Sequence, residues 1–282
     1  MSGRDSFLPY PDTCVASADS KRAVCAQRTP RQNHILAALP LADYERLLPD
    51  LEFIALPRGR TVYHAGDRQK HLYFIVEGIV STCHVSEDGA STESAVTGSE
   101  GVVGVALVLG GGSSPSETVV LSAGYAYRLK ASLLDKEFAQ AGPLSHLLLR
   151  YILALIRQTG QIAACNRHHS LEQRLCRCIL SSLDRLRSND LTMTQELIAD
   201  MLGVRRESVS EAAGKLQKAG LIRCNRGHIV VPDRRRLDAH ACECYAAVKR
   251  EYSGLLPGYR QTIAAFQGRI HGARPQPARP VP

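Results

Sequence analysis

Arg205, Arg206, Glu207, Ser210 and Glu211 fall at spacings that put them on one outward helical face. Their side chains are those that read base edges. Arginine spans both major-groove acceptors of guanine, glutamate accepts from the cytosine amino group, and serine serves either partner. Thr194, Ser208, Lys215, Arg223, Arg226 and His228 surround them in the same short stretch and suit phosphate oxygens. A second set of reactive side chains is thiol-based. Cys242 and Cys244 stand two apart with His240 nearby, but no second pair stands at structural-zinc spacing, so they read as free thiols. Cys176 and Cys178, also two apart, cannot share one face of a helix. His168 and His169 read as a polar joint between domains. No metal, cofactor or catalytic residue is expected: the chain has no phosphate-cradling loop ending in Lys-Ser/Thr, no His-Glu-x-x-His and no Gly-x-Ser-x-Gly elbow.

Base-reading side chains need a rigid helix to carry them. Leu197, Ile198, Met201 and Leu202 recur at three- and four-residue spacing behind Thr194, a capping residue, so a first helix is expected there. Gly203 interrupts the pattern. Val204, Val209, Ala212, Ala213 and Leu216 restore it, which predicts a second helix from near Arg205 to Ala219, closed by Gly220. Asn225-Arg226-Gly227, between short β-prone runs, predicts a hairpin. The pattern is a winged helix-turn-helix.

Charge is distributed to match. Residues 1–164 carry 15 basic and 16 acidic side chains and residues 165–282 carry 20 and 11, so the net +8 resides in the half with the helix pair. A basic module beside a neutral one suggests a nucleic-acid reader joined to a unit with another task. Nine cysteines, an odd number without a regular framework, fit reduced thiols. The longest apolar runs, such as Val102 to Leu109, are too short to span a membrane, and a cytoplasmic protein is expected.

Before the reader, Ile35 to Leu48 predicts two short helices. Leu51 to Leu129 then alternates β-prone runs (53–56, 61–63, 72–76, 79–85, 119–121 and 125–129) with glycine turns, predicting a compact all-β unit. Pro143 to Cys165 predicts a long helix. Leu144, Leu148, Tyr151, Leu155 and Ile162 lie near a heptad seam on it, which is read as a dimer interface. Leu171 to Leu186 predicts an amphipathic helix, and a last helix is expected over Leu237 to Tyr252. Arg234-Arg235-Arg236 is either a phosphate clamp or a solvated turn.

The stretch LPRGRTVYHAGDRQKHLYFIVEGIV resembles the opening of a cyclic-nucleotide-binding β-roll, and RRESVSEAAGKLQKAGLI is similar to the recognition helix of Crp/Fnr transcription regulators. Over roughly Leu47 to Tyr245 the chain resembles that family, with both halves in the family's order. The resemblance implies an α+β fold: an N-terminal jelly-roll-like β-roll sensor, a long dimerisation helix and a C-terminal winged helix-turn-helix. It implies that Arg206, Glu207 and Glu211 occupy base-reading positions. It also implies double-stranded DNA with inverted half-sites, a second copy of the chain and RNA polymerase as partners. Two features depart from the family. Many members carry an Arg where Glu211 stands, so the operator is expected to differ. Nucleotide-binding members hold the cyclic phosphate with an Arg, but here no Arg or Lys occurs between Lys70 and Arg128, which argues against cyclic AMP. Gly110-Gly111-Gly112 offers at most backbone N–H groups to an anion. Cys14 and Cys25 are isolated, unlike the clustered cysteines of the family's iron–sulfur members. The effector is left open.

The expected organisation is a mobile arm (1–32), a sensor with flanking helices (33–142), a dimerisation helix (143–166), the reader (167–252) and a mobile tail (253–282). Two other readings stay open. One is a thiol- or metal-responsive regulator using Cys83 or the Cys242–Cys244 pair. The other is a protein-interaction module whose helical domain only docks.

Overall fold

The structure, a computed structural model, describes residues 28–186, 189–225 and 227–255. Expectations for the rest of the two termini, and for Arg226, lie outside the described residues.

Two short helices, α1 (His34–Ala37) and α2 (Leu41–Leu47), precede the sheet. Asn33 caps α1 through Oδ1, while its buried Nδ2 donates to Ile75 O and Gly101 O, pinning α1 to the roll. Strands β1 (Glu52–Leu56), β2 (Thr61–Tyr63), β3 (His71–Val85), β4 (Ser91–Thr97) and β5 (Val102–Val103) lead through the one-turn helix α3 (Val105–Val108) into β6 (Glu117–Lys130). The sheet runs β1-β6-β3-β4, with β2 also on β6 and β5 on β3. The pair β3 and β6 forms its spine, from His71↔Lys130 to Cys83↔Glu117, with bulges around Glu77 to Val80. The bend there needs glycine: a Cβ on Gly124 would lie 1.8 Å from Glu77 O. Each spine strand therefore joins two runs that the sequence reading kept separate. One side of the sheet packs Leu56, Tyr73, Ile75 and Val120; the other packs Phe74 and Leu129 against the helices.

Helix α4 (Ala131–Ala139) turns the chain into the long α5 (Pro143–His168). Leu144, Leu148, Tyr151 and Ile162 of α5 are buried within this one chain, and Leu155 is half-buried. The seam chosen from the sequence therefore faces the chain's own roll and C-terminal helix. Tyr151 shows why. Its hydroxyl donates to Val102 O at 3.2 Å and meets Thr97 Oγ1 at 3.1 Å, over Gly101, where a Cβ would stand 2.3 Å from the ring.

The second module comprises α6 (Leu171–Leu183), β7 (Asp190–Thr192), α7 (Gln195–Leu202), α8 (Arg206–Lys218), β8 (Arg223–Asn225) and β9 (His228–Val230). A capping box of Ser170 and Gln173 starts α6. Strand β9 pairs with both β7 and β8. One core spans the module and Ile79, Val96 and Leu121 of the roll, so the domains share apolar packing.

The described residues end in α9 (Arg234–Asp238) and α10 (Glu243–Leu255), not the single helix expected, because the chain turns through His240 to Cys242. Helix α10 leaves the reader and lies along α5. Tyr252 is buried there, donating to Gln158 Oε1 at 2.6 Å, so this helix joins the two modules and passes the expected boundary at 253. At the other end Arg28 pairs with Glu77 at 2.8 Å, so the last residues of the expected arm belong to the roll. No single helix among the described residues is long and apolar enough to cross a membrane.

Candidate nucleic-acid interface and sensor cavity

The two helices of the expected reader form as their capping residues require. Thr194 Oγ1 accepts from Leu197 N at 3.1 Å and starts α7. Gly203 ends it in the left-handed region, φ 62°, allowing the sharp turn into α8. Ile198, Met201 and Leu202 meet Val209, Ala212, Ala213 and Leu216 in the core, which leaves the opposite face of α8 in solvent. Arg205, Arg206, Glu207, Ser210, Glu211 and Lys215 are exposed on it, and Ser208 is half-buried.

Their surroundings divide them. Arg205 is the N-cap, Arg206 and Glu207 fill the first turn, and none of the three has a side-chain partner among the described residues. Ser210 donates to Gln195 Oε1 at 2.5 Å, tying α8 to α7. Lys215 is bracketed by Glu172 at 2.9 Å and Glu211 at 3.0 Å, and the two carboxylates push its ammonium up to about 12. In the hairpin, Arg223 and His228 are exposed, and His228 Nδ1 lies 3.2 Å from Asp190. The arginine run divides too: Arg234 is an ion-pair partner of Asp184 and bonds Tyr245 Oη at 3.0 Å, Arg236 donates to Ala219 O, and Arg235 faces solvent. Neither sequence reading of the run therefore covers all three residues.

A cavity of about 190 Å³ opens between the roll and α5. Gln69, Thr82, His84, Ser94, Thr97, Ser116, Thr118, Leu155 and Thr159 contribute to its walls, with no Lys or Arg. The oxygen Gln69 Oε1 is buried there without a hydrogen-bond partner. The sequence reading missed this lining, because Ser94, Thr97 and Thr159 are ordinary polar residues until β4 and α5 bring them together. It also missed Glu93 on the same strand. Ser81 Oγ donates to Glu93 Oε2 at 2.7 Å, yet burial raises this carboxyl to about 7 despite Arg177 and Arg185.

Leu149, Leu153 and Ile156 on α5 are 48%, 40% and 62% exposed. With Gly160 and Ala163 they repeat at four and three residues, a heptad seam in solvent. The same helix carries two such seams, and periodicity cannot say which one its own chain covers.

Comparison with known proteins agrees with this layout. Residues 53–141 match the model of the cyclic nucleotide-binding domain and residues 173–240 that of the Crp-like helix-turn-helix domain. A CRP-like cAMP-activated global transcriptional regulator of Mycobacterium tuberculosis (strain ATCC 25618 / H37Rv) is 24% identical over 202 residues, 69% of this chain and 90% of that protein. The fumarate and nitrate reduction regulatory protein of Escherichia coli (strain K12) is 24% identical over 183 residues, 62% and 73% of the two chains. The structure of FixK2 from Bradyrhizobium japonicum superposes with a TM-score of 0.60 at 19% identity, covering 68% of this chain and 98% of that one, a likeness of fold. With a cyclic nucleotide-binding-type roll and a Crp-like helix-turn-helix matched in that order on either side of a long helix, this chain belongs to the Crp/Fnr family of DNA-binding transcriptional regulators.

Proposed function

We propose that the protein works as a two-fold dimer in the bacterial cytoplasm, setting two copies of α8 into successive major grooves of an inverted-repeat operator. The observation that carries this is the first turn of α8. Two arginines and a glutamate stand in solvent with no side-chain partner among the described residues, on a helix whose other face is locked into a core. Arg205, Arg206 and Glu207 read bases; Ser210 and Glu211, engaged by Gln195 and Lys215, contribute less. Thr194, Ser208, Lys215, Arg223, Arg226 and His228 hold phosphates. The seam of Leu149, Leu153 and Ile156 forms the dimer contact, because these are the large apolar side chains that α5 leaves exposed. Two-fold pairing along it spaces half-sites about one DNA turn apart. RNA polymerase is a further partner.

The cavity takes a small uncharged ligand. Hydroxyls, His84 and one free amide oxygen supply its polar lining, with no Lys or Arg to hold a buried phosphate. Cyclic AMP and cyclic GMP at millimolar concentration should leave the melting temperature unchanged, although a ligand at a hundred times its Kd adds about 2.7 kcal/mol.

Selection of binding sites from random DNA tests the main reading. A palindromic logo, with affinity falling steeply as salt rises, is the expected result. Binding that ignores both sequence and salt would show that the helical domain only docks.

A further inference from the structure

At the joint between the two modules, three thiols and an imidazole converge from segments far apart in sequence. Cys165 and His169 lie one helical turn apart at the C-terminal end of α5, where His169 is the C-cap. Cys242 and Cys244 flank the start of α10. All three thiols are buried, and the four candidate ligand atoms lie within 4.8 Å of one another. Cys165 Sγ is 3.5 Å from Cys242 Sγ, and Cys244 Sγ is 3.5 Å from His169 Nδ1.

Those separations suit one ion. A tetrahedral Zn²⁺ with Zn–S of about 2.3 Å and Zn–N of about 2.0–2.1 Å sets its ligands about 3.5–3.8 Å apart. An iron–sulfur cluster spreads its thiolates wider than a single ion does. The surrounding groups fit as well. His169 Nε2 faces Glu243 Oε1 at 3.2 Å, the carboxylate–histidine arrangement that fixes a metal-binding imidazole. Gln161 Nε2 donates to Cys244 Sγ at 3.0 Å. Nearby, Arg174 and the buried Arg177 each keep an Nε with no hydrogen-bond partner, leaving positive charge beside a site that three thiolates would make negative. A disulfide between Cys165 and Cys242 would use two of the four residues and leave the His169–Glu243 pair without a purpose.

We propose that Cys165, His169, Cys242 and Cys244 form a Cys3His site for a single thiophilic divalent cation of the zinc class, which clamps the start of α10 to the end of α5. The clamp closes a loop of 77 residues that contains the whole helix-turn-helix and its wing. In sequence only the Cys242–Cys244 half drew notice, because the Cys-x3-His half lies far away and only the packing of α10 on α5 unites them.

The test is titration of the reduced, metal-free full-length chain with Co²⁺, followed by absorbance. The expected result is one Co²⁺ per chain, with a thiolate-to-cobalt charge-transfer band and intense tetrahedral ligand-field bands, both displaced by Zn²⁺. Cys242→Ser should remove the tight site. Glu243→Gln, at an exposed carboxylate, should keep the fold and weaken binding about 10–100-fold. Cys83→Ser should change nothing. A weak octahedral spectrum, a titration unaltered in both Cys242→Ser and Glu243→Gln, or a Cys165–Cys242 disulfide formed in air with no metal uptake after reduction would each overturn the proposal. None of these readouts involves DNA, so they are independent of the regulatory reading.

Discussion

Arg185, just beyond α6 in the reader module, donates from Nε to Glu100 Oε1 in the sensor at 2.7 Å, and both side chains are almost wholly buried. The same carboxylate oxygen accepts from Gly98 N at 3.1 Å, and Arg185 also donates to Ser181 O, so the pair is part of a satisfied network. Removing one partner strands the other. Glu100→Gln is expected to cost about 3–5 kcal/mol in urea unfolding, because it leaves a buried guanidinium without its counter-charge. A double change of Glu100 and Arg185 to a well-packed apolar pair should cost far less. Equal losses in the single and double variants would show that the pair does not hold the domains together.

Base readout should divide along α8. Arg206→Ala and Glu207→Ala are each expected to cost about 1–3 kcal/mol of operator affinity and to relax the preference at one base pair. Arg223→Ala and Arg226→Ala should weaken every duplex alike and lower the salt slope by about one unit. Selected-site logos for the four variants decide it: an unchanged logo in Arg206→Ala with an altered one in Arg223→Ala would place recognition in the hairpin.

Assembly should depend on the outer seam of α5. Leu149→Asp with Ile156→Asp is expected to give a folded monomer by sedimentation that has lost tight operator binding. Leu148→Asp places a carboxylate at a fully buried position and should unfold the chain instead. A double variant that stays dimeric would move the interface elsewhere.

Glu93 predicts a pH dependence. Its folded-state carboxyl titrates near 7, above the ordinary 4.5, so the folded chain keeps a proton that the unfolded chain releases. The contribution is complete below about pH 4.5 and is lost as pH rises through about 7, by at most about 3 kcal/mol. Glu93→Gln should flatten that part of the profile of urea midpoint against pH. A slope unchanged in the variant would assign the titration to another group.

The reader was legible in the sequence because its signals are local. Thr194, Gly203 and Gly220 mark helix ends, and the apolar spacing between them has one reading. Strand β4 was not legible. Ser91 to Thr97 has only Ala95 and Val96 as adjacent apolar residues, and Glu93 is buried through Ser81 and nearby arginines, so the strand shows no apolar alternation. Each half of β3 and β6 was found, but the glycines inside them look like turns until the bulged pairing makes them bends. The burial of the seam read on α5 was not legible for a related reason. Leu148 and Leu153 sit on the same helix at equally good heptad positions, and only the burial of Tyr151 and Tyr252 between α5 and its neighbours shows which row is internal.

Strand β4 touches two places at once. Ser94, Ala95 and Thr97 line the cavity, and Thr92 lies against the turn of the helix pair, where a Cβ on Gly203 would come within 2.6 Å of Thr92 Oγ1. A ligand that shifts this strand moves the ground on which α7 rests. By thermodynamic reciprocity, whatever factor such a ligand applies to operator affinity, the operator must return to the ligand's own affinity. The population of filled cavities in a cell would then depend on how many operators its chromosome offers, and a promoter array would act as a reservoir for the signal it answers.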